Sequence, residues 1–228
     1  MLHRSKICLL IVSTVAFGAA VYEDAAWKTK RAADWTDAET KQILTDSPWA
    51  AMVVPTVKKV EQRPSAHRGG LVGVPGIGRR RADTQDTGDT TPPTTDTPLP
   101  MNVRWESALP IREAELKARE MNAPDVDENH YAIAVYGVPT HLAKDPQSFG
   151  DRLKGQATIK REGQKDLKPV HVDVIPRDDG VVIVFLFPRA REISPKDSRA
   201  EFYAQIGPFQ ITQSFHLDEM IYQGKPEL

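Results

Sequence analysis

The chain has 228 residues, of which 27% are charged and 40% hydrophobic, and this is enough for one ordinary domain with additional segments. Its formal net charge of −1 provides no general attraction to nucleic acid or to an anionic membrane surface, so we expect neither as a partner. The single cysteine, Cys8, excludes internal disulfides and metal sites built on several thiolates, and we expect no cofactor.

The first twenty residues have the pattern of a secretory signal peptide. Arg4 and Lys6 form a basic start, Ile7–Phe17 is apolar, and Gly18–Ala20 supplies the small residues of a cleavage site. We expect cleavage near Ala20 and export to the periplasm or the outside of the cell, which leaves no membrane span in the mature chain. The alternative is that the apolar segment stays as a membrane anchor.

Residues 21–61 are predicted to contain one short helix. Thr36 and Glu39 are spaced as a capping box, so the helix should begin at Asp37 and continue to about Thr45. An isolated helix of this length is marginal in water, and it must therefore dock on the main domain or on another protein.

Three tryptophans of this segment are the natural anchors for such docking. Large aromatic rings bury much apolar area at a low cost in side-chain entropy. If the segment binds a partner in place of its own domain, the protein-binding residues are Trp27, Trp35 and Trp49.

Residues 62–100 are predicted to be a disordered linker. The first part is rich in glycine and arginine, and the second part in threonine, proline and aspartate. Too few large apolar residues are present to offset the entropy lost on ordering. The basic cluster Arg79–Arg81 could contact phosphate groups, but the acidic stretch beside it favours a solvated linker.

Residues 101–228 are predicted to form the folded domain. Its clearest feature is a hairpin within Lys168–Arg189, where alternating valines lead to a turn at Asp179-Gly180 and then to the apolar run Val181–Phe187. A second hairpin is predicted around Gly207-Pro208, because apolar and polar residues alternate on both sides of that turn.

Two helices accompany these strands. The first begins near Pro110 and buries a stripe that starts at Ile111, while Glu115 and Arg119 form an i,i+4 pair on its exposed side. The second is expected within His141–Leu153, interrupted by Pro146.

The elements together predict an α+β fold, in which an antiparallel sheet carries two helices on one face. An immunoglobulin-like β-sandwich is the alternative, because several short strands would also suit that fold. The amphipathic stripe at Ile111 favours the α+β fold, since a pure sandwich has no place for such a helix.

No motif in the sequence indicates catalysis. A nucleophile elbow, a phosphate-binding loop and a helical pair of metal-binding histidines are all missing from it. The alternative to a binding protein is a hydrolase or a metal-dependent enzyme that uses outward-facing residues of the C-terminal domain. The residues available for this are His171, Asp173, His216 and Asp218, and an enzyme would have to bring them into one cleft.

Four stretches of the chain resemble a group of uncharacterised exported bacterial proteins: WTD with TDSPWA (35–50), VRWESALP (103–110), LFPR (186–189) and the closing GKPEL (224–228). The resemblance implies export and an arrangement of signal, helix, linker and domain. It implies no activity and no catalytic residue.

These observations favour an exported interaction module of the cell envelope that binds another envelope protein and performs no catalysis. The sequence leaves the partner and the oligomeric state open.

Overall fold

The computed structural model describes residues 25–58, 98–120, 123–189 and 192–228. These residues form two antiparallel sheets, a small two-stranded ribbon and four α-helices, and the predicted α+β class is confirmed. The predicted signal peptide (1–20) and all but the last three residues of the predicted linker (62–100) lie outside the described residues.

The larger sheet has six strands, and it contains the predicted hairpin of Lys168–Arg189. The spatial order of the six strands is β1 (Asp46–Ser47), β2 (Ala50–Val53), β4 (Met101–Trp105), β5 (His130–Val138), β8 (Gly180–Pro188) and β7 (His171–Arg177). Every residue of β7 pairs with β8, and β8 lies between β7 and β5 with both faces covered.

The smaller sheet has four strands and contains the second predicted hairpin. The spatial order of its strands is β3 (Thr56–Val57), β10 (Phe209–His216), β9 (Arg199–Ile206) and β6 (Ala157–Arg161). The central pair, β9 and β10, is joined through Gly207, whose φ of +57° is a conformation that glycine adopts readily. The separate ribbon consists of β11 (Ile221–Tyr222) and β12 (Lys225–Pro226).

The two sheets pack face to face. The rings of Phe185 on β8 and Phe202 on β9 have centroids 5.4 Å apart, and those of Trp105 on β4 and Phe215 on β10 are 5.1 Å apart. The strands are therefore divided between two sheets, where we expected one, because each hairpin presents an alternating apolar face that needs a partner surface. The helices of the α+β fold are added to this pair of sheets.

The helices form two groups. Helix α2 (Asp37–Thr45) packs on α3 (Leu109–Ala118) and touches β2 and β4, and α4 (Pro146–Lys154) packs on β7 and also contacts β9. The short α1 (Ala26–Thr29) approaches β11. The predicted capping box of α2 is present, with Thr36 and Glu39 as its two partners. Pro146 begins α4, where we expected an interruption, because proline fits the first helical turn, which needs no backbone donor.

The N-terminal segment is part of the same body as the C-terminal residues. Strand β2 pairs with β4, and β3 pairs with β10, so residues 46–57 add strands to both sheets. The boundary that we predicted between residues 21–61 and 101–228 therefore separates two parts of one core. Within the described ranges, no helix has the length and apolar character required to cross a membrane.

Candidate functional site: an acid–arginine cluster beneath a charged cleft

The three tryptophans predicted to bind a partner are in the hydrophobic core. Trp27, Trp35 and Trp49 are only 1%, 3% and 0% exposed. Trp27 and Trp49 meet edge to face with centroids 6.1 Å apart, and the indole N–H of Trp49 donates a 2.8 Å hydrogen bond to the carbonyl of Glu227. The segment docks on its own domain, so these rings are not available as exposed anchors for a second protein.

The predicted histidines and aspartates lie in two separate places. His171 Nε2 and Asp173 Oδ1 are 2.9 Å apart on the exposed face of β7, at one edge of the six-stranded sheet. His216 and Asp218 belong to the end of β10 in the other sheet, where they line a cleft with Arg199 and other charged residues. Over the described ranges, no group of three or more His, Cys, Asp or Glu side chains is placed to hold a metal ion. The predicted enzyme site is therefore not assembled.

A cluster that the sequence analysis missed lies on the outer face of the six-stranded sheet. On β4, Val103 and Trp105 point into the core between the sheets, so Arg104 points to the opposite side, next to Tyr136 of β5. Glu106 follows β4 directly, Glu115 lies on α3, and Glu120 follows that helix. We call Arg104, Glu106, Glu115, Glu120 and Tyr136 the acid–arginine cluster.

Arg104 uses every part of its guanidinium group in this cluster. Its Nη1 donates to Glu115 Oε1 and to Glu120 Oε2 at 3.1 Å, and its Nη2 donates to Glu120 Oε1 at 3.3 Å. Its Nε donates to the carbonyl of Leu44 on α2 at 3.0 Å, and the group lies 4.1 Å from the centre of the Tyr136 ring. This one side chain therefore joins β4, β5, α2 and α3.

The protonation of the cluster follows from its short contacts. Tyr136 Oη is 2.9 Å from Glu106 Oε1 and 3.0 Å from Glu115 Oε1. A phenol has one proton and can donate one hydrogen bond, so a second proton must be present among these oxygens. Glu115 accepts from Arg104 and is the natural carboxylate, which places the second proton on Glu106.

Burial and neighbouring charges shift the pKa values of three groups in the cluster. Glu106 is 0% exposed, and burial, together with the hydrogen bond and charge of Glu115, raises the pKa of Glu106 well above its usual range. Burial and the two neighbouring glutamates also raise the pKa of Tyr136, so the phenol stays protonated. Burial alone would lower the pKa of Arg104, but the hydrogen bond and the charge of Glu120 act against it and the pKa is raised.

The charges of the cluster and of the neighbouring Arg177 balance only when Glu106 is neutral. Arg177 of β7 has its Nη2 3.8 Å from Glu120 Oε2, and its guanidinium lies 5.5 Å from the centre of the Tyr136 ring. Two guanidinium groups, Arg104 and Arg177, thus stand against two carboxylates, Glu115 and Glu120. An ionised Glu106 would add a net buried negative charge, which is costly in a medium of low dielectric constant.

A charged cleft of about 790 Å³ opens between α2 and α3 above this cluster. Arg104 and Glu120 contribute to its wall from the buried side, and its other charged residues are Asp37, Lys41, Lys117 and Arg119. Lys117 is already engaged, since its Nζ donates to the carbonyls of Ala32 and Ala33. Lys41 and Arg119 are exposed, and they give the cleft an excess of positive charge.

The buried part of this arrangement has a structural role. Glu106 has no exposed surface, and Glu115 is 3% exposed, so neither carboxyl group can touch a substrate in this conformation. Their hydrogen bonds instead fasten α3 to the sheet, and the exposed part of the assembly is the charged cleft.

The sequence signal for this cluster was present but ambiguous. We placed Glu115 and Arg119 in an exposed i,i+4 pair, whereas Glu115 is buried against Arg104, and Arg119 ends the helix with a φ of +57°. The spacing of residues along α3 cannot show that the guanidinium of Arg104 lies on the neighbouring sheet beside Glu115. A charged residue within the strand Met101–Trp105, followed directly by Glu106, was the available hint.

No protein-family model, curated protein or solved structure matches this chain. The resemblance to exported bacterial proteins therefore stays a prediction.

Proposed function

We propose that the protein is an exported interaction module of the cell envelope that binds an acidic surface of another envelope protein and performs no catalysis. The binding surface in this proposal is the charged cleft between α2 and α3. Export rests on the sequence pattern of residues 1–20, and the remainder rests on the described fold.

The excess of positive charge in the cleft carries this proposal. The tryptophans of the N-terminal segment are buried, and so recognition has to use another surface. Lys41 and Arg119 are exposed at the cleft, while Arg104 is held in place from beneath by its bonds to Glu115 and Glu120. A partner carboxylate would meet the exposed cations Lys41 and Arg119 at the rim of the cleft, and such complementarity mainly gives specificity and fast association.

Binding is tested with matched charge reversals. The mature chain is immobilised and exposed to a solubilised envelope extract of the native host, beside the double variant K41E/R119E and the control K165E/K196E. The control changes the same charge at two exposed positions away from the cleft. We expect one protein to be retained by the wild type and the control, to be lost from the cleft variant, and to be released by salt.

The retained protein is then purified, and its affinity is measured with the same three chains. Equal affinity for all three would contradict the assignment to the cleft. Export is tested separately, by cell fractionation and by the intact mass of the exported chain, which should begin at Val21.

A further inference from the structure

We propose that the proton on Glu106, at the contact where Tyr136 bridges Glu106 and Glu115, latches α3 onto the six-stranded sheet, and that its loss as the pH rises releases α3 from the cluster. This inference concerns the stability of the fold and does not depend on the proposed partner.

The latch is defined by geometry. Tyr136 Oη bridges Glu106, at the end of β4, and Glu115, on α3, with contacts of 2.9 and 3.0 Å. Removing the proton from Glu106 would leave carboxylates on both sides of one phenol that can donate to only one of them. The other contact would become a repulsion between buried oxygens, and the element free to move away is the helix.

The groups that face Glu106 set the direction of the effect. Arg104 comes from β4, Tyr136 from β5, Glu115 from α3, Glu120 from the residues after α3, and Arg177 from β7, while α2 contributes the carbonyl of Leu44. The two guanidinium groups are matched by Glu115 and Glu120. No described cation is left to compensate a charge on Glu106.

The pH dependence has a definite sign. Because burial raises the pKa of Glu106 in the folded state, the folded chain keeps a proton that the unfolded chain releases. The stabilisation is complete below the ordinary glutamate pKa of 4.5. It is lost as the pH rises through the window up to the folded pKa, and the unfolding equilibrium constant grows there by up to about tenfold per pH unit.

The experiment compares the wild-type chain with the variant E106Q. A glutamine has the size of a protonated glutamate and cannot ionise, so it preserves the neutral state at every pH. We expect urea unfolding between pH 4 and pH 9 to show E106Q gaining stability over the wild type progressively as the pH rises. The control E128Q removes an exposed carboxylate and should follow the wild type.

Release of α3 is read by hydrogen–deuterium exchange, corrected for the intrinsic rate at each pH. In the wild type, protection of Leu109–Ala118 should fall as the pH is raised, while protection of α4 (Pro146–Lys154) should stay constant. In E106Q, the protection of α3 should persist. Parallel unfolding curves for wild type and E106Q, or an equal loss of protection in both helices, would overturn the latch.

A direct measurement covers the case in which E106Q does not fold. Infrared spectroscopy of the wild-type protein, started at a pH above the ordinary glutamate pKa, should show the carbonyl band of a protonated carboxylic acid, and the band should vanish reversibly as the pH is raised further. A wild-type spectrum without that band would show that Glu106 carries no proton, and it would overturn the proposal.

Discussion

Arg104 shows how one buried charge can organise several elements. Its guanidinium is bound by two carboxylates, one carbonyl and one aromatic face, and its surface is only 6% exposed. Such an ion pair contributes little compared with an apolar replacement of the whole group, but breaking it leaves a charge without a partner. The cost of single substitutions is therefore the informative quantity.

We expect Arg104→Met to lower the free energy of unfolding by about 3–5 kcal/mol, because Glu115 loses its cation and stays buried. Urea unfolding at pH 7 measures the change. Arg112→Met, at an exposed position of the same helix that carries Glu115, is the matched control and should shift stability by about 0.5 kcal/mol or less. An equal effect of both substitutions would show that the cluster does not hold its charges as described.

Gly150 illustrates the opposite case, a position where the absence of a side chain allows two elements to approach closely. A Cβ atom added there would lie 2.6 Å from the carbonyl oxygen of Val172, so α4 passes directly over the backbone of β7. Gly155, just after the same helix, would place its Cβ no closer than 4.0 Å to another atom.

The two glycines give a prediction that is tested by the sign of the change in the free energy of unfolding. In an unobstructed helix, Gly→Ala raises stability by about 1 kcal/mol. Gly150→Ala should instead destabilise the protein by about 1–3 kcal/mol, because helix and strand must separate. Gly155→Ala should stay within about 0.5 kcal/mol of the wild type. Thermal and urea unfolding of the two variants measure this, and a stabilising Gly150→Ala would refute the close approach.

At the scale of elements, the sequence was most informative where a pattern was long. The hairpins β7–β8 and β9–β10 have seven to nine residues per strand and clear turns, and both were predicted. The helix predicted from Asp37 to about Thr45 is present as α2, because a capping box marks its start and Ser47-Pro48 follows its end. In each case the signal is local.

What the sequence did not disclose depends on contacts between distant residues. Strands β1, β2 and β3 have two to four residues each, too few to show a period, and they exist because β4 and β10 offer edges for pairing. The division of the strands into two sheets and the meeting of Arg104 with Glu115 likewise depend on packing. Local periodicity cannot specify which surface covers which.

The N-terminus of α2 offers a test at this scale. Thr36 accepts from the backbone of Glu39, and Glu39 accepts from the backbone of Thr36 and from Lys30. Thr36→Ala should cost about 1 kcal/mol, as expected for the loss of a helix cap. Urea unfolding measures it, and Thr45→Ala at the other end of α2 is the control, expected to have the smaller effect.

The carboxylate of Glu39 in the same cap makes the stability of the protein depend on pH in acid. The hydrogen bonds to Lys30 and Thr36 lower the pKa of Glu39 to about 2. Because the folded pKa is depressed, the stabilisation from Glu39 is complete above its ordinary pKa of 4.5 and is lost as the pH falls toward 2. An NMR titration of the Glu39 carboxylate should show this depressed midpoint in the wild type and a higher one in Lys30→Met, because the hydrogen bond from Lys30 is the largest cause of the shift. Identical midpoints would contradict the contact between Lys30 and Glu39.

At the scale of the whole molecule, two separated parts of the chain build one core. Residues 25–58 contribute Trp27, Trp35 and Trp49 to it, and they cover the edge of β4. Hydrogen bonds also hold the two parts together. Trp49 donates to the carbonyl of Glu227, and Lys117 donates to the carbonyls of Ala32 and Ala33, which follow α1. Either part alone would leave apolar residues of the shared core exposed to water.

We therefore expect a chain that begins at Pro98 to lose its cooperative unfolding transition. Without the N-terminal segment, β4 has an open edge and the large apolar surface that buried the three indoles faces water, at a cost of about 1.5–3 kcal/mol for each large side chain exposed. A separate peptide of residues 25–58, added in excess, should restore the transition, because binding to the folded state stabilises it by mass action. Near-ultraviolet circular dichroism and urea unfolding follow both steps.

The control is a full-length chain with a protease site placed within residues 59–97. After cleavage the two parts should remain associated and keep nearly the stability of the intact chain at high protein concentration, since all described contacts survive the cut. A variant peptide with Trp49→Ala should restore the 98–228 chain poorly, because it lacks both the buried ring and the bond to Glu227. If the 98–228 chain unfolded cooperatively by itself with unchanged stability, the N-terminal segment would not be needed for folding of the C-terminal part. The three buried tryptophans would then again be candidates for binding a partner.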